Sequence, residues 1–414
     1  MSMGERRMKN NRTKLSQRVR YALLAGMAGA FLIPQVGFAA PTVEKVVVGD
    51  AVVSQSGKDT LIKATATVNN VIEWRDYSLA SDESIVHDGG AKTNNYLNIV
   101  TGANTSNING KIKGGKNVYI VNPNGVIFGK SAEVNVGNLY VSTQAVSTVK
   151  KDADMENNVS LLDTSAGLSD VVNMGEITAN TVEVHGKNIR FLNAANVHTT
   201  ASPVVLHTDT ANGGYAHIGY ESGHAPAAAD YQVNGAAATA ADNYYQLVAN
   251  ESDLNAINTN TTNLAGNYML ANDIDYAGAA HTPIGNHTTP FKGKFDGNFF
   301  QIRDMTVSGT DDAGFFGVLD GARIDNLGIV GGTVTGKTTT AGTETAGGLA
   351  GESLNSKLYN VYVKGTKVSG NNYRNGGLIG QASYTTIDGA YSTAEVDAEG
   401  GGIVGRTATS ASGN

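Results

Sequence analysis

Apolar positions along this chain come in short runs that alternate with turn residues, and they almost never recur at the three-to-four spacing of an amphipathic helix. Residues 45–48, 65–68, 118–121, 139–142, 181–184 and 187–191 are β-branched or aromatic stretches set between Gly, Asn, Asp, Ser and Thr. Many short strands separated by such corners predict an all-β chain. Gly-rich turns without long hairpin-paired strands favour a solenoid over a sandwich, each coil covering the one before. A short helix is predicted at 253–257, with Ser252 as its N-cap.

One corner stands out. In Val121-Asn122-Pro123-Asn124-Gly125-Val126, two apolar runs at 118–121 and 126–128 hinge on Asn-Pro-Asn-Gly. Asn at the first turn position, Pro at the second and Gly at the fourth are the preferences of a type I turn. By itself the tetrapeptide predicts a sharp turn between strands and nothing more.

The clearest internal repeat lies late in the chain. Gly314-Phe315-Phe316-Gly317, Gly348-Leu349-Ala350-Gly351, Gly377-Leu378-Ile379-Gly380 and Gly402-Ile403-Val404-Gly405 frame two apolar residues each, and their starts are 34, 29 and 25 residues apart. Twelve residues after each start stand Asn326, Asn360, Gly389 and Asn414. The constant offset marks a structural unit, and the shrinking remainder marks loops of variable length. A unit of this size buries its apolar face only by stacking on its neighbours. The last unit is incomplete and shows no polar cap, so the sequence reads as a piece of a longer protein.

The first residues carry a different signal. Arg6, Arg7, Lys9, Arg12, Lys14, Arg18 and Arg20 precede an apolar run at 21–33, and Gly37-Phe38-Ala39 supplies small residues. This is the pattern of a secretory signal peptide, residues 1–39, with cleavage after Ala39. The apolar run is too short to span a bilayer; a retained membrane anchor is the competing reading. Without that segment the chain keeps 23 basic against 36 acidic side chains, a net of −13, and no basic run survives to bind nucleic acid. Cysteine is absent. Two readings account for that equally: a chain threaded through a pore cannot carry closed disulfide loops, or a long stacked fold needs no staples.

Four blocks in order resemble the amino-terminal secretion domain of filamentous-haemagglutinin-type exoproteins of two-partner secretion, over roughly 45–145. They are Val71-Ile72-Glu73-Trp74-Arg75-Asp76-Tyr77-Ser78-Leu79, then Leu97-Asn98-Ile99-Val100-Thr101-Gly102, Ser106-Asn107-Ile108-Asn109-Gly110-Lys111-Ile112 and the run from Val118 to Gly129. The family often has Phe where Tyr77 stands and Arg where Ile99 stands, so a polar role at 99 is in doubt. The glycine frames resemble GLUG repeats of bacterial surface proteins, and the segment with Phe291-Lys292-Gly293-Lys294-Phe295-Asp296-Gly297-Asn298 resembles what often precedes them.

The resemblance implies a right-handed parallel β-helix with an amino-terminal cap, followed by Gly-rich repeat coils. Its domains would be a secretion domain at 40–150, further coils at 151–210, an Ala/Gly-rich linker at 211–243, a β-rich segment at 244–305 and repeats at 306–414. Residues 150–156 would form a charged connector. It also implies export by the general secretory route and then a dedicated outer-membrane β-barrel, in a bacterium with an outer membrane. The exported chain would be a cell-surface adhesin fragment. Stacked coils fold by nearest-neighbour propagation, so folding outside the cell would make export one-way. Residues Asn122, Pro123, Asn124 and Gly125 have two readings: a signal seen by the transporter, or a turn that lets coils stack. Trp74 and Tyr77 read as core or cap aromatics.

Catalysis is the alternative, since parallel β-helices include glycan-processing enzymes. Asp273 with Asp275, and Asp311 with Asp312, are the close carboxylate pairs, and both read as solvated turn residues. The eight histidines show no metal-ligand spacing, the chain has no phosphate-loop or dinucleotide fingerprint, and no cofactor is expected. Asp296-Gly297-Asn298 lacks the twelve-residue loop of a calcium-binding helix pair. The sequence therefore reads as a non-enzymatic exoprotein.

Overall fold

The computed structural model describes residues 40–408 apart from 66–67, 147–161, 163, 202, 338–343, 371–373 and 398–399. The expected signal segment with Ala39, the 150–156 connector and Asn414 lie outside the described residues. The chain divides into two compact units, the first ending at Tyr245 and the second beginning at Gln246.

In the first unit the chain winds through three parallel sheets, one short strand in each per coil. A representative coil runs through Asn117–Val121, Val126–Phe128 and Glu133–Asn135, and the next begins at Asn138–Ser142. Each strand ladders onto its counterpart one coil on: Tyr119 faces Tyr140, Val126 faces Val171 and Val134 faces Ile177. Stacking in register places like on like, which is why the runs are β-branched. Inward residues such as Ile72, Trp74, Val118, Ile120, Phe128, Val134 and Leu139 form one continuous core. Each large apolar side chain so buried contributes about 1.5–3 kcal/mol.

Strand Asn117–Val121 is buried at every position. Its outward residues Tyr119 and Val121 join Val71, Leu97, Ile99, Tyr140 and Leu162 in a second apolar cluster on the other face of the sheet. Burial on both faces explains the unbroken apolar run, which alternation alone does not require. Ile99 is wholly buried there.

The ladder begins with antiparallel pairing. Thr42–Val48 runs antiparallel to Asn69–Asp76 with three register shifts, and Val52–Ser56 with Asp59–Lys63 forms a hairpin. These strands cap the first coil. Of the strand expected at 65–68, residues 66–67 lie outside the described residues, and the strand that follows spans Asn69–Asp76. The Ala/Gly-rich stretch, expected as a linker, is laddered: Ala216–Tyr220 pairs in parallel with Ile189–Phe191, and Tyr231–Val233 with Val204–His207. Composition hides this because only a few side chains, among them Ala216, Ile218, Tyr231 and Ala238, need to point inward.

In the second unit the helix spans Glu251–Ile257. Its N-cap is Asn250 rather than Ser252: the Asn250 side chain accepts from the Asp253 amide at 3.1 Å, and the Asp253 carboxylate accepts from the Ala249 amide at 2.9 Å. An extended backbone at Asn250 aims its carboxamide at the free amides of the first turn, which Ser252, already inside the helix, cannot reach. Among the described residues, the paired strands beyond it all run parallel.

The four glycine frames stack in one column, with Phe316 on Ala350, Ala350 on Ile379 and Ile379 on Val404. Their companion turn residues also align. Asn326, Asn360 and Gly389 hold φ of 53°, 53° and 70°, and Asn360 Nδ2 donates to Asn326 Oδ1 at 2.9 Å. Asn tolerates this left-handed corner and adds a hydrogen bond to the next coil.

Candidate functional site

The Asn-Pro-Asn-Gly corner is a closed turn woven into its neighbours. The Gly125 amide donates to the Asn122 carbonyl at 3.0 Å, completing the turn, and Gly125 takes φ of 114°, a region open to glycine. The Asn122 side chain is buried and uses all its hydrogen-bonding capacity. Its Nδ2 donates to the Asn104 carbonyl and to Ser106 Oγ, both at 2.9 Å. Its Oδ1 accepts from the Asn124 amide at 2.9 Å and from Asn124 Nδ2 at 3.2 Å. Ser169 Oγ donates to the Pro123 carbonyl at 2.7 Å, and Asn124 Nδ2 donates to the Gly102 carbonyl at 2.9 Å. The corner therefore ties its own coil to strands before and after it. Only Asn124 of the four is exposed.

Trp74 and Tyr77 lie in the core with ring centroids 5.1 Å apart, edge to face. Trp74 Nε1 donates to Asn98 Oδ1 at 3.0 Å, and Asn98 Nδ2 donates to the Tyr119 carbonyl at 3.1 Å. One buried polar chain thus crosses three successive coils. Burial raises the Tyr77 phenol well above its ordinary range.

The cap differs from the rest of the unit. Its strands Thr42–Val48 and Val52–Ser56 end their sheets, without an outer strand partner among the described residues. Val43, Val47, Val48, Val52 and Leu61 are exposed here, Val52 to 61%. An apolar sheet edge left open in this way is a template for pairing with another chain.

The carboxylate pairs divide. Asp273 accepts from the Gln301 amide at 2.9 Å and binds the Arg303 guanidinium at 2.6 Å, while Asp275 accepts from the Ala277 amide at 2.8 Å. Asp296 is buried and accepts from the Asn298 amide and from Asn326 Nδ2, bonds that hold a corner together. Asp311 is exposed and pairs with Lys337 at 3.1 Å. Asp312 overturns the expectation of a solvated turn residue: it sits in strand Asp312–Ala313, facing Thr345, with its side chain 6% exposed. The parallel ladder turns it inward. Burial pushes its carboxyl up to about 6, against the pull of the His287 imidazole.

His287 Nε2 stands 3.3 Å from Asp312 Oδ2 and 3.4 Å from Glu352 Oε2. Linear spacing concealed this group, because 25 and 40 residues separate its members. A signal for part of it was present. Glu352 and Gln381 both stand four residues after the start of a glycine frame, and stacking the frames puts them in one column. A second group, Glu183, His185 and His207, arises in the first unit by the same stacking of coils, with His185 Nε2 2.7 Å from Glu183 Oε1.

Fold and corner together define a capped parallel β-solenoid whose polar side chains mostly serve the stacking of coils. The chain belongs to the TPS secretion domain family, whose model matches residues 39–290. It is a two-partner-secretion exoprotein. It is similar to a heme/hemopexin-binding protein of Haemophilus influenzae, 33% identical over 119 residues, which are 28% of this chain and 13% of the relative. It is also similar to the halomucin of Haloquadratum walsbyi, 34% identical over 151 residues, 33% of this chain and 2% of that one. The chain thus spans a small fraction of the length of these curated relatives. The crystal structure of the HMW1 secretion domain from Haemophilus influenzae aligns over 90% of this chain and 92% of its own, at 14% identity and a TM-score of 0.29. The fold assignment rests on the ladders described above.

Proposed function

We propose that this chain is handed from the periplasm to a dedicated outer-membrane β-barrel, which docks on the capped end of the first unit and passes the chain to the cell surface. The observation that carries this reading is the open apolar edge of strands Thr42–Val48 and Val52–Ser56, which lies at the start of the residues matched by the secretion-domain model. A partner strand added there gains backbone hydrogen bonds and covers the exposed valines. The corner at 122–125 then acts on export through folding, since its hydrogen bonds are spent within the coil stack. Residues 1–39 serve as the cleaved leader, and 40–150 hold the docking and nucleating coils. The glycine-framed coils, of the GLUG kind, extend a non-enzymatic surface rod that works in adhesion.

Coexpression with and without the neighbouring barrel, scoring the chain in the culture medium, tests this. Release should require both the barrel and residues 45–145. A Val47→Lys, Val52→Lys double variant should fold with an unchanged melting temperature and be released poorly. Release indifferent to the barrel sinks the transport reading, and full release of the double variant sinks the docking edge.

A further inference from the structure

We propose that His287 Nε2, Asp312 Oδ2 and Glu352 Oε2 form a binding site for one divalent transition-metal ion in the second unit. The two separations from the imidazole nitrogen, 3.3 and 3.4 Å, match the roughly 3.3 Å between donor atoms of a tetrahedral ion with bonds of about 2.0–2.1 Å. All three donor atoms lie within 4.8 Å of one another. An imidazole with two carboxylates suits zinc and its neighbours. Calcium and magnesium favour all-oxygen sets with more ligands.

The supporting bonds leave one oxygen of each carboxylate for the ion. Thr345 Oγ1 donates to Asp312 Oδ1 at 3.0 Å, and Gln381 Nε2 donates to Glu352 Oε1 at 2.7 Å. The remaining oxygens are the two that face His287. Outer-shell donors of this kind fix the rotamer of a ligating carboxylate. Both carboxylates stand on laddered strands, with side chains 6% and 2% exposed, whereas the His287 side chain is 58% exposed. The site is thus a rigid, buried dicarboxylate floor closed from outside by a histidine that can admit the ion. His287 and Asp312 also line a groove of about 670 Å³ with Asn258, Pro283 and Lys337.

The Glu183, His185 and His207 group lacks this geometry. Its two imidazoles stack with centroids 4.3 Å apart and planes 16° from parallel. Lone pairs of nearly parallel stacked rings cannot converge on one ion, because each lies in the plane of its own ring.

Calorimetric titration of the chelator-stripped secreted chain with zinc sulfate tests the proposal, with cobalt chloride and its visible bands as a second readout. One zinc per chain is expected, with affinity at least tenfold weaker in His287→Ala and in Glu352→Gln and unchanged in Glu183→Gln. His287 is exposed, so its variant should melt with the wild type in excess chelator. Absence of stoichiometric binding, binding undiminished in His287→Ala, or loss of binding in Glu183→Gln would each overturn it.

Discussion

Replacing Asn122 by Ala separates the two roles that its corner could play. The substitution removes four hydrogen bonds from a fully buried side chain, two to the coil before it and two within the turn. It leaves the Asn104 carbonyl and the Asn124 amide short of partners. At about 1 kcal/mol net for each of the four bonds, with a further penalty for buried groups left unsatisfied, the loss is at least about 4 kcal/mol. Asn124→Ala, at an exposed site, removes two of the weaker bonds and should lose about 1 kcal/mol. Trp74 is the only tryptophan and is buried in the same unit, so its fluorescence reports urea unfolding of that unit. With a urea dependence of about 1–3 kcal/mol per molar, the Asn122→Ala midpoint should fall by at least about 1 M. Release into the medium should fall in parallel. A midpoint within about 0.5 M of wild type, with release abolished, would refute the structural account and make the corner a signal read directly by the transporter.

Other consequences are as specific. Gly377→Ala should destabilise the second unit, because a Cβ there runs into the Gly402 carbonyl of the next coil, whereas Gly402→Ala, with open space at the same motif position among the described residues, should melt like wild type. Trp74→Phe should lower stability by about 2 kcal/mol in circular-dichroism melts, since it removes the bond to Asn98 and leaves that buried carboxamide oxygen short of a donor. Burial holds the His87 and His281 imidazoles down at about 4, against an ordinary 6.5. The unfolded chain therefore takes up protons first. Stability should be full above about pH 6.5, fall as the pH drops toward 4 and level off below, by up to about 3 kcal/mol for each histidine. His87→Gln should flatten the part of this slope that Trp74 fluorescence reads. Among the described residues the His87 ring has one hydrogen bond, Nδ1 to the Lys113 carbonyl at 3.1 Å, and its Nε2 has no partner, so protonation would bury an unsatisfied donor.

Much of this was written in the chain. Short β-branched runs between polar corners specify a stack of coils, because local turn chemistry and period-two side chains are properties of neighbouring residues. The runs at 118–121, 139–142 and 181–184 all fall on strands of one sheet. The glycine frames were legible as a repeat for the same reason, and the ladder stacks them in one column. Three things depended on tertiary structure. Ala216, Ile218 and Tyr231 make coils of a stretch with a linker's composition, since neighbours decide whether a few inward side chains suffice. Asn122 is a buried four-bond hub because another coil presents Asn104 and Ser106 to its side chain while the turn folds Asn124 back onto it. Asp312 and Glu352 meet His287 because register in a parallel stack joins residues tens of positions apart, with separations set by loop lengths that no local pattern encodes.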